Sequence, residues 1–353
     1  HRSDILVDMK WRGPAGHGLY RDRVAEYTQL LLGPDFTIVA PALCKYEPKP
    51  QWPDPLNVLI SLGGGGDLAI AASIARAIAE HAQVNFKPLE IYVVIGPMAI
   101  RQETLFALSS QFANIHLVIN QTDLYPYYCQ THFAITAAGG MIYELLAQRI
   151  PAISFALAPN QESDPVLLGQ LGHHFHIGDF SPADITQLTQ LFSLLINHYP
   201  RATQLLEDAL MPIDGKGPMR IATAIRDLMA GRNIQSMIPD AIVQEQNIGE
   251  ALDNGYYVRP VEDRDINHYL ASRNLEINRD KMTLTQPIRA IEHYLWWFSS
   301  LRESYLLTRN MDKLLYIWHQ RVVISGNDYL IGGWFVCSMT TNYQDALTAI
   351  AWQ

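Results

Sequence analysis

Two runs of glycine in this chain stand where an apolar segment gives way to a helical one, an arrangement that suits phosphate binding. The first run follows the apolar residues 58–62 and consists of Gly63, Gly64, Gly65 and Gly66. The second follows residues 133–138 and consists of Gly139 and Gly140. Glycines between a strand and a helix N-terminus leave backbone N–H groups uncovered and allow an anion to approach closely. Two such corners indicate a nucleotide-diphosphate site, although glycine at a tight corner can also have a purely backbone role.

Three polar residues follow these corners in the sequence. Glu144 comes one helical turn after Gly140. A carboxylate there can accept hydrogen bonds from both hydroxyls of a ribose, or can be a solvated residue stabilised near a helix N-terminus. Asn160 and Gln161 follow the apolar run 152–155, at a strand end where ligands bind in open α/β sheets. Their amides can hydrogen-bond sugar hydroxyls without adding charge, but such a dipeptide is also common in ordinary loops.

Three histidines in a short stretch, His173, His174 and His176, raise the question of a metal site. Alternate residues of a strand point to opposite faces, so the three rings would not converge on one ion. No second cluster of Cys, Asp or Glu with ligand spacing accompanies them in the sequence. We therefore expect no metal.

Composition and charge exclude several classes of protein. Of the 353 residues, 48% are apolar and 17% are charged, which is ordinary for a globular protein with a sizeable core. The net charge of −9 argues against nucleic-acid binding, which needs a basic face. No apolar run reaches membrane-spanning length and the N-terminus does not resemble a signal peptide, so we expect a cytoplasmic protein with no membrane partner. The widely separated Cys44, Cys129 and Cys337 fit a reducing compartment and are expected to be buried thiols.

The elements that position the glycine corners alternate between strand and helix from residue 56 to about 230, which predicts an α/β fold with a parallel sheet. The predicted strands are residues 57–62, 90–95, 115–119, 132–136, 152–155 and 174–177, with a further short strand at 4–8. The predicted helices are residues 68–81, 101–111, 141–148, 165–170, 182–197 and 219–229. Because the strands are apolar almost throughout, we expect helices on both faces of the sheet.

The pattern changes near residue 230. We assign residues 1–230 to a nucleotide-binding domain, 231–255 to a linker and 256–353 to a smaller α+β domain. In the smaller domain we predict a strand at 256–259, helices at 263–274, 288–302 and 343–352, and a β-hairpin of 314–324 with 329–337. The aromatic run Trp296, Trp297 and Phe298 lies in a helical setting and is expected to be core.

Taken in order, these segments resemble the C-terminal half of a GT-B-type, Rossmann-like nucleotide-sugar enzyme. The resemblance is to the UDP-sugar hydrolase of pseudaminic-acid biosynthesis and the related spore-coat polysaccharide biosynthesis proteins, and it covers roughly residues 1–230. The residues that carry it are Leu32-Gly33-Pro34-Asp35-Phe36-Thr37-Ile38, Leu59-Ile60-Ser61-Leu62-Gly63-Gly64-Gly65 with Asp67, Ala138-Gly139-Gly140 with Glu144, Ile150-Pro151-Ala152-Ile153, Asn160-Gln161, and Asp214-Gly215-Lys216-Gly217 with Arg220.

The resemblance implies a function and a set of contacts. The family enzyme removes UDP from a 2,4-diacetamido-2,4,6-trideoxy hexose by attack of water and needs no cofactor. By the same resemblance, the two glycine runs would bind the diphosphate of a UDP-sugar and Glu144 would bind its ribose. Asn160, with Gln161 beside it, would contact the sugar.

One feature of the family is not matched. Its general base is a histidine in a GxGH-type motif near the start of an N-terminal Rossmann-like domain, which the residues before Gly63 do not supply. Gly16-His17-Gly18 follows a single short strand and lacks that context. No catalytic residue is therefore assigned, and we expect a fragment that binds UDP without efficient hydrolysis. A GT-B glycosyltransferase using a UDP-sugar donor and a non-catalytic sugar-nucleotide-binding protein are the alternatives; the sugar and the oligomeric state are left open.

Residues 256–353 resemble the first part of a GNAT acetyltransferase. The carriers are Tyr257-Val258-Arg259-Pro260-Val261, Asp263-Arg264-Asp265-Ile266, the helix with His293 and Trp297-Phe298, and the segment Ile331-Gly332-Gly333-Trp334. The resemblance implies acetyl-CoA as a cofactor. The motif that binds its pyrophosphate in this family should follow the hairpin, and the sequence there does not contain it.

Overall fold

The computed structural model describes residues 3–20, 22–50, 52–63, 65–85, 88–232, 236–237 and 249–353. The chain divides into two units, His1–Ile242 and Val243–Gln353. Gly64 and most of the predicted linker 231–255 lie outside the described residues. Among the described residues, no helix has both the length and the apolar character needed to cross a membrane.

The first unit begins with a small parallel sheet of two strands, β1 (Ile5–Asp8) and β2 (Gln29–Leu32). The remaining strands and helices of this unit are β3 (Leu56–Ser61), β4 (Gly65–Asp67), α1 (Ala69–Asn85), β5 (Leu89–Ile95), β6 (Met98–Ile100), α2 (Glu103–Gln111), β7 (Ile115–Ile119), α3 (Tyr125–Gln130), β8 (Phe133–Ala137), α4 (Met141–Ala147), β9 (Ala152–Ala156), α5 (Pro165–Gln170), β10 (Phe175–Asp179), α6 (Ile185–Asn197), α7 (Tyr199–Glu207) and α8 (Gly217–Met229).

Six of these strands form one parallel sheet in the order β10-β9-β8-β3-β5-β7. The predicted α/β fold with a parallel sheet is confirmed. All residues of β8 and β9 are buried, as expected for strands covered on both faces. Although β3 and β8 are neighbours in the sheet, they are the first and fourth of the six strands along the chain, so the strand order reverses between them.

The structure differs from the sequence prediction at several short elements. The helix predicted at 68–81 is α1, which starts one residue later, after the short strand β4 that pairs with β6, and ends four residues later, at Asn85. The three-residue strands β4 and β6 were not predicted, and neither were β2, α3 and α7. Segments this short carry too little periodicity to be recognised and are formed by tertiary contacts.

The second unit has an antiparallel sheet in the order β11-β12-β13-β14-β15. Its elements are β11 (Glu250–Ala251), β12 (Tyr256–Pro260), α9 (Ile266–Arg273), α10 (Glu276–Arg279), α11 (Ala290–Ser299), β13 (Glu303–Arg309), β14 (Asp312–Ile324), β15 (Asn327–Val336) and α12 (Tyr343–Trp352). The hairpin of β14 and β15 is confirmed, whereas β13 was not predicted. Phe298 is buried as expected, while Trp296 and Trp297 are only half-buried.

The expectation of buried thiols is wrong for two of the three cysteines. Cys44 and Cys129 are exposed, and both lie at or near the ends of short helical segments that cover little of their surface. Cys337 is partly buried, and burial raises the pKa of its thiol to about 12.

The segment Asp214-Gly215-Lys216-Gly217 has a packing role in this fold. Gly215 has φ +72°, and a Cβ on it would lie 2.8 Å from Cα of Cys44. A Cβ on Gly217 would overlap the carbonyl oxygen of Thr37. Arg220 forms two hydrogen bonds with the carboxylate of Asp214, at 2.9 and 2.5 Å. This part of the family resemblance therefore joins α8 to the segment that follows β2.

A buried hydrogen-bonded cluster joins β9 to β10 and to the residues just before β10. Ser154 Oγ lies 2.6 Å from His173 Nε2 and 2.9 Å from His176 Nδ1. Nδ1 of His174 lies instead 3.1 Å from the carbonyl oxygen of Gly172. Burial lowers the pKa of His173 to about 3 and that of His176 to about 4. Among the described residues, no three His, Cys, Asp or Glu side chains are grouped so that they could hold a metal ion.

We predict that Gly217→Ala lowers the free energy of unfolding by about 1–3 kcal/mol, because the new methyl group must displace backbone. Gly140→Ala is the matched control: Gly140 has φ −56°, and a Cβ there meets no atom within 4 Å. Urea unfolding of both variants measures the difference. Equal midpoints for the two variants would show that the close packing at Gly217 is not needed.

We predict that acid destabilises the protein partly through His173. Its pKa in the fold is below the ordinary 6.5, so only the unfolded chain takes up the proton as the pH falls from 6.5 towards 3. The stabilisation is therefore complete above pH 6.5 and is lost below it. His173→Gln should reduce the pH slope of the unfolding free energy by up to about 1.4 kcal/mol per pH unit. An unchanged slope in urea titrations between pH 7 and pH 4 would contradict this assignment.

Candidate functional site

Three loops meet at the carboxyl edge of the parallel sheet. Ser61 of β3 pairs with Thr136 of β8, and Ala137 of β8 pairs with Phe155 of β9. Neighbouring strands are about 4.8 Å apart, so the loops that follow these three strands lie side by side. The loops that follow β3 and β8 lie on either side of the reversal of strand order, where open α/β sheets have a ligand-binding crevice. The predicted site residues of both glycine corners therefore lie at one edge.

The second corner has glycines that the fold itself does not require. Gly140 has φ −56° and ψ −30°, which any residue adopts, and a Cβ on Gly139 or Gly140 would meet nothing within 4 Å. The N–H of Gly140 has no hydrogen-bond acceptor among the described residues. Neither strain nor packing explains the absence of side chains here, whereas close approach of a ligand would.

The first corner is different, because the backbone accounts for its glycines. Gly63 and Gly66 have φ +111° and +103°, which side chains rarely adopt, and a Cβ on Gly65 would lie 3.1 Å from Cβ of Met98. Gly64 is not among the described residues. Glycine at these positions is therefore consistent with a phosphate loop without being evidence for one.

The first corner also leads into a strand instead of entering the helix directly. Asp67, at the end of β4, accepts a hydrogen bond from the N–H of Ala69 at 2.9 Å. It also forms an ion pair with Arg101 at 2.7 Å. The start of α1 is thus already next to a carboxylate. An anion at this corner would have to contact the backbone of the loop, and not the helix N-terminus that the sequence indicated.

Glu144 is held in place by a buried tyrosine. Tyr128 Oη donates a hydrogen bond to Glu144 Oε2 at 2.5 Å, and Tyr128 is only 1% exposed. Burial, followed by the nearby carboxylate, raises the pKa of Tyr128 well above its ordinary value, so it stays a donor. Glu144 is half-buried, and its Oε1 has no hydrogen-bond partner among the described residues. One oxygen is therefore available to a ligand.

Asn160 and Gln161 lie in a short 3-10 helix, Pro159–Gln161, directly after β9. Gln161 Oε1 accepts a hydrogen bond from the N–H of Leu157 at 2.8 Å, so this atom closes the loop. Asn160 is exposed. The structure thus gives Gln161 a local structural bond and leaves the Asn160 amide open to solvent.

A lysine that the sequence analysis missed also reaches this loop. Lys10 Nζ donates a hydrogen bond to the carbonyl oxygen of Glu162 at 2.8 Å, and burial lowers the pKa of Lys10. Trp11 Nε1 donates to Gln170 Oε1 at 2.6 Å. The only signal in the sequence was the Lys-Trp-Arg run that begins one residue after β1, but no pattern links it to a loop 152 residues away.

His17 does not occupy a site that could hold a sugar. It lies in the 3-10 helix Gly16–Leu19, where its Nδ1 is 3.2 Å from the carbonyl oxygen of Pro14. The cavity that it lines with Asp8 and Tyr20 has a volume of about 10 Å³. That volume holds about one water molecule. The position of His17 gives no support to a role as a general base.

No family model matches this chain. A curated relative, the spore coat polysaccharide biosynthesis protein SpsG of Bacillus subtilis, is 23% identical over 219 residues. The match covers 60% of this chain and 64% of the relative, so the chain spans less than two thirds of that protein's length.

Three solved structures have low overall similarity to this chain. The glycosyltransferase WaaG, involved in lipopolysaccharide biosynthesis, has a TM-score of 0.43 and 16% identity over 64% of this chain and 62% of its own. MnaA of S. aureus, solved with UDP, has a TM-score of 0.42 and 15% identity over 63% and 61%. UDP-GlcNAc 2-epimerase of Neisseria meningitidis, bound to UDP-GlcNAc, has a TM-score of 0.34 and 16% identity over 50% and 46%.

Proposed function

We propose that the unit His1–Ile242 binds the UDP moiety of a nucleotide sugar in the crevice between the loops that follow β3 and β8. The observation that carries the proposal is the second glycine corner. Gly139 and Gly140 lie beside the reversal of strand order, and neither strain nor packing in the fold requires glycine at either position. Backbone N–H groups at the start of α4 would then donate to the diphosphate.

The other predicted contacts follow from the same placement. Glu144 is one turn into α4, and its free Oε1 would accept hydrogen bonds from the ribose hydroxyls while Tyr128 holds Oε2. Asn160 projects from the loop after the next strand and would contact the sugar. The available N–H of Gly140 would favour UDP as a leaving group, because it would meet the charge that develops on the diphosphate.

We propose that this unit supplies the UDP-binding part of a hydrolase acting on a UDP-linked 2,4-diacetamido-2,4,6-trideoxy hexose, in which water attacks the anomeric carbon and UDP leaves; none of the described residues is assigned as the general base. The support is the family resemblance and the similarity to SpsG, whose name places that protein in polysaccharide biosynthesis. Transfer of the sugar to an acceptor needs the same UDP contacts. The product, free sugar or glycoside, separates the two reactions.

For the unit Val243–Gln353 we propose a GNAT-like fold with acetyl-CoA as its cofactor. The support is the order of its elements, in which the strand β12, preceded by the two-residue β11, is followed by helices, three antiparallel strands and a helix. Absence of binding heat on titration with coenzyme A would rule this part out.

We predict that the 353-residue chain binds UDP and that Gly139→Val weakens binding at least about tenfold, because the side chain would cover N–H donors to a charged ligand. Gly18→Val is the matched control, since Gly18 is exposed and a Cβ there also meets nothing within 4 Å. Isothermal titration calorimetry measures both. Absence of UDP binding, or equal affinity of the two variants, would refute the proposed site.

We predict that Glu144 recognises the ribose. The unaltered chain should bind UDP about tenfold more tightly than 2′-deoxy-UDP, because one hydrogen bond to a charged group is lost. Glu144→Ala should bind both ligands equally. Glu80→Ala, on the exposed face of α1, should keep the preference. If Glu144→Ala still prefers UDP, the ribose is bound elsewhere.

A further inference from the structure

The unit Val243–Gln353 contains a large cavity with aromatic walls. Its volume is about 1080 Å³, and it lies among α9, α11, the end of β15 and the start of α12. The aromatic residues that line it are Tyr269, Trp296, Trp318, Trp334, Phe335 and Tyr343. Cavities of this size with a mainly apolar lining and few polar groups are typical of small-molecule sites.

The charged groups that line the cavity are mostly cationic. They are Arg273, Lys281 and Arg302, against the single carboxylate of Glu292. His293 also lines the cavity, and burial lowers its pKa to about 4, so it is neutral at pH 7. An excess of positive charge in a cavity is notable because the whole chain has a net charge of −9. Such a cavity attracts anions.

Both guanidinium groups that line the cavity have a buried nitrogen without a hydrogen-bond acceptor among the described residues. Nη1 of Arg273 and Nε of Arg302 are buried and have no hydrogen-bond partner among the described residues. Nη2 of Arg273 has only a 3.4 Å contact with the carbonyl oxygen of Leu284. Leaving a buried donor of a charged group unpaired costs about 1–3 kcal/mol or more, so a missing acceptor is indicated.

Arginines with a structural role in this unit are paired in a different way. Arg259 donates two hydrogen bonds to Asp265 at 2.6 and 2.8 Å, and both residues are buried. Within the described part of the chain, Arg273 and Arg302 form no ion pair with a carboxylate. The contrast argues against a purely structural role for the pair that lines the cavity.

Aromatic rings fix the position of one of these guanidinium groups. The Cζ atom of Arg302 lies 3.8 Å from the ring centroid of Trp318 and 5.3 Å from that of Trp296. Stacking of this kind stabilises the cation and limits its rotation. It leaves the edge of the guanidinium, which carries the N–H donors, available to bind a planar or tetrahedral anion.

We propose that this cavity binds a small organic anion, whose carboxylate or phosphate accepts hydrogen bonds from Arg273 and Arg302 and whose flat apolar body packs against Trp296, Trp318 and Trp334. The site is separate from the proposed UDP crevice, since all its residues belong to the second unit. It needs no covalent step and no metal.

The test is calorimetric titration of the 353-residue chain with naphthoate, naphthyl phosphate and the neutral naphthylmethanol, each with UDP present at saturation and without it. We expect one or both anions to bind at least about tenfold more tightly than the alcohol, from one charge-assisted hydrogen bond. UDP should not compete. A preference for one of the two anions identifies the head group.

Variants locate the binding. Arg302→Gln and Arg273→Gln should each weaken anion binding at least about tenfold. Arg321→Gln should not, because Arg321 is exposed on the same strand as Trp318 and does not line the cavity. Equal binding of anions and alcohol, unchanged affinity in both cavity variants, or no binding of any probe would each overturn the proposal.

Thermal unfolding of the ligand-free chain separates a ligand site from a structural one. Burial and the neighbouring Arg302 lower the pKa of Arg273, so without a bound anion its charge is unfavourable. Arg273→Gln should therefore unfold at the same or a higher temperature while it loses the stabilisation that naphthoate gives the unaltered chain. A lower unfolding temperature together with unchanged anion affinity would assign Arg273 to the fold.

Discussion

The hydrogen-bonded register between β3 and β8 is the constraint on which the candidate site depends. Val58 pairs with Phe133 and Ser61 with Thr136, so both strands end at the same edge of the sheet. The sheet then continues through β5 and β7 on one side and through β9 and β10 on the other. A slip of one residue would move one glycine corner relative to the other by about 3.3 Å. The burial of every residue of β8, and of every residue of β3 except Asn57, opposes such a slip.

The sequence predicted the parts of the fold that are long and periodic. The six parallel strands were located to within two residues and the start of α1 to within one, since buried apolar runs and helical spacing are local properties. The pair of β4 and β6 was missed, because three residues that include two glycines carry no pattern. The exposed Cys44 and Cys129 were misjudged for a related reason: the prediction rested on how cysteine behaves on average.

The candidate site was predictable in its glycines but not in the contacts around them. Gly139 and Gly140 were visible because their residue type is itself the signal. The bond between Tyr128 and Glu144 and the ion pair between Asp67 and Arg101 join separate elements, so they follow from tertiary structure alone. The cavity of the second unit was hidden for the same reason. Of its tryptophans, Trp296 was interpreted as core, and only the tertiary structure brings Arg302 onto the rings of Trp296 and Trp318.

Asp67 gives the crevice a direction. Its carboxylate stands at the start of α1, whereas the start of α4 presents an N–H of Gly140 without a partner. The two sides of the proposed crevice thus differ: on one side a carboxylate already paired with Arg101 occupies the start of α1, and on the other side a backbone N–H is available to an anion. A diphosphate entering between them would be drawn towards β8 before any other group of the ligand made contact. The chain would thereby select one of the two ways in which a nearly symmetric pyrophosphate could lie across the sheet edge.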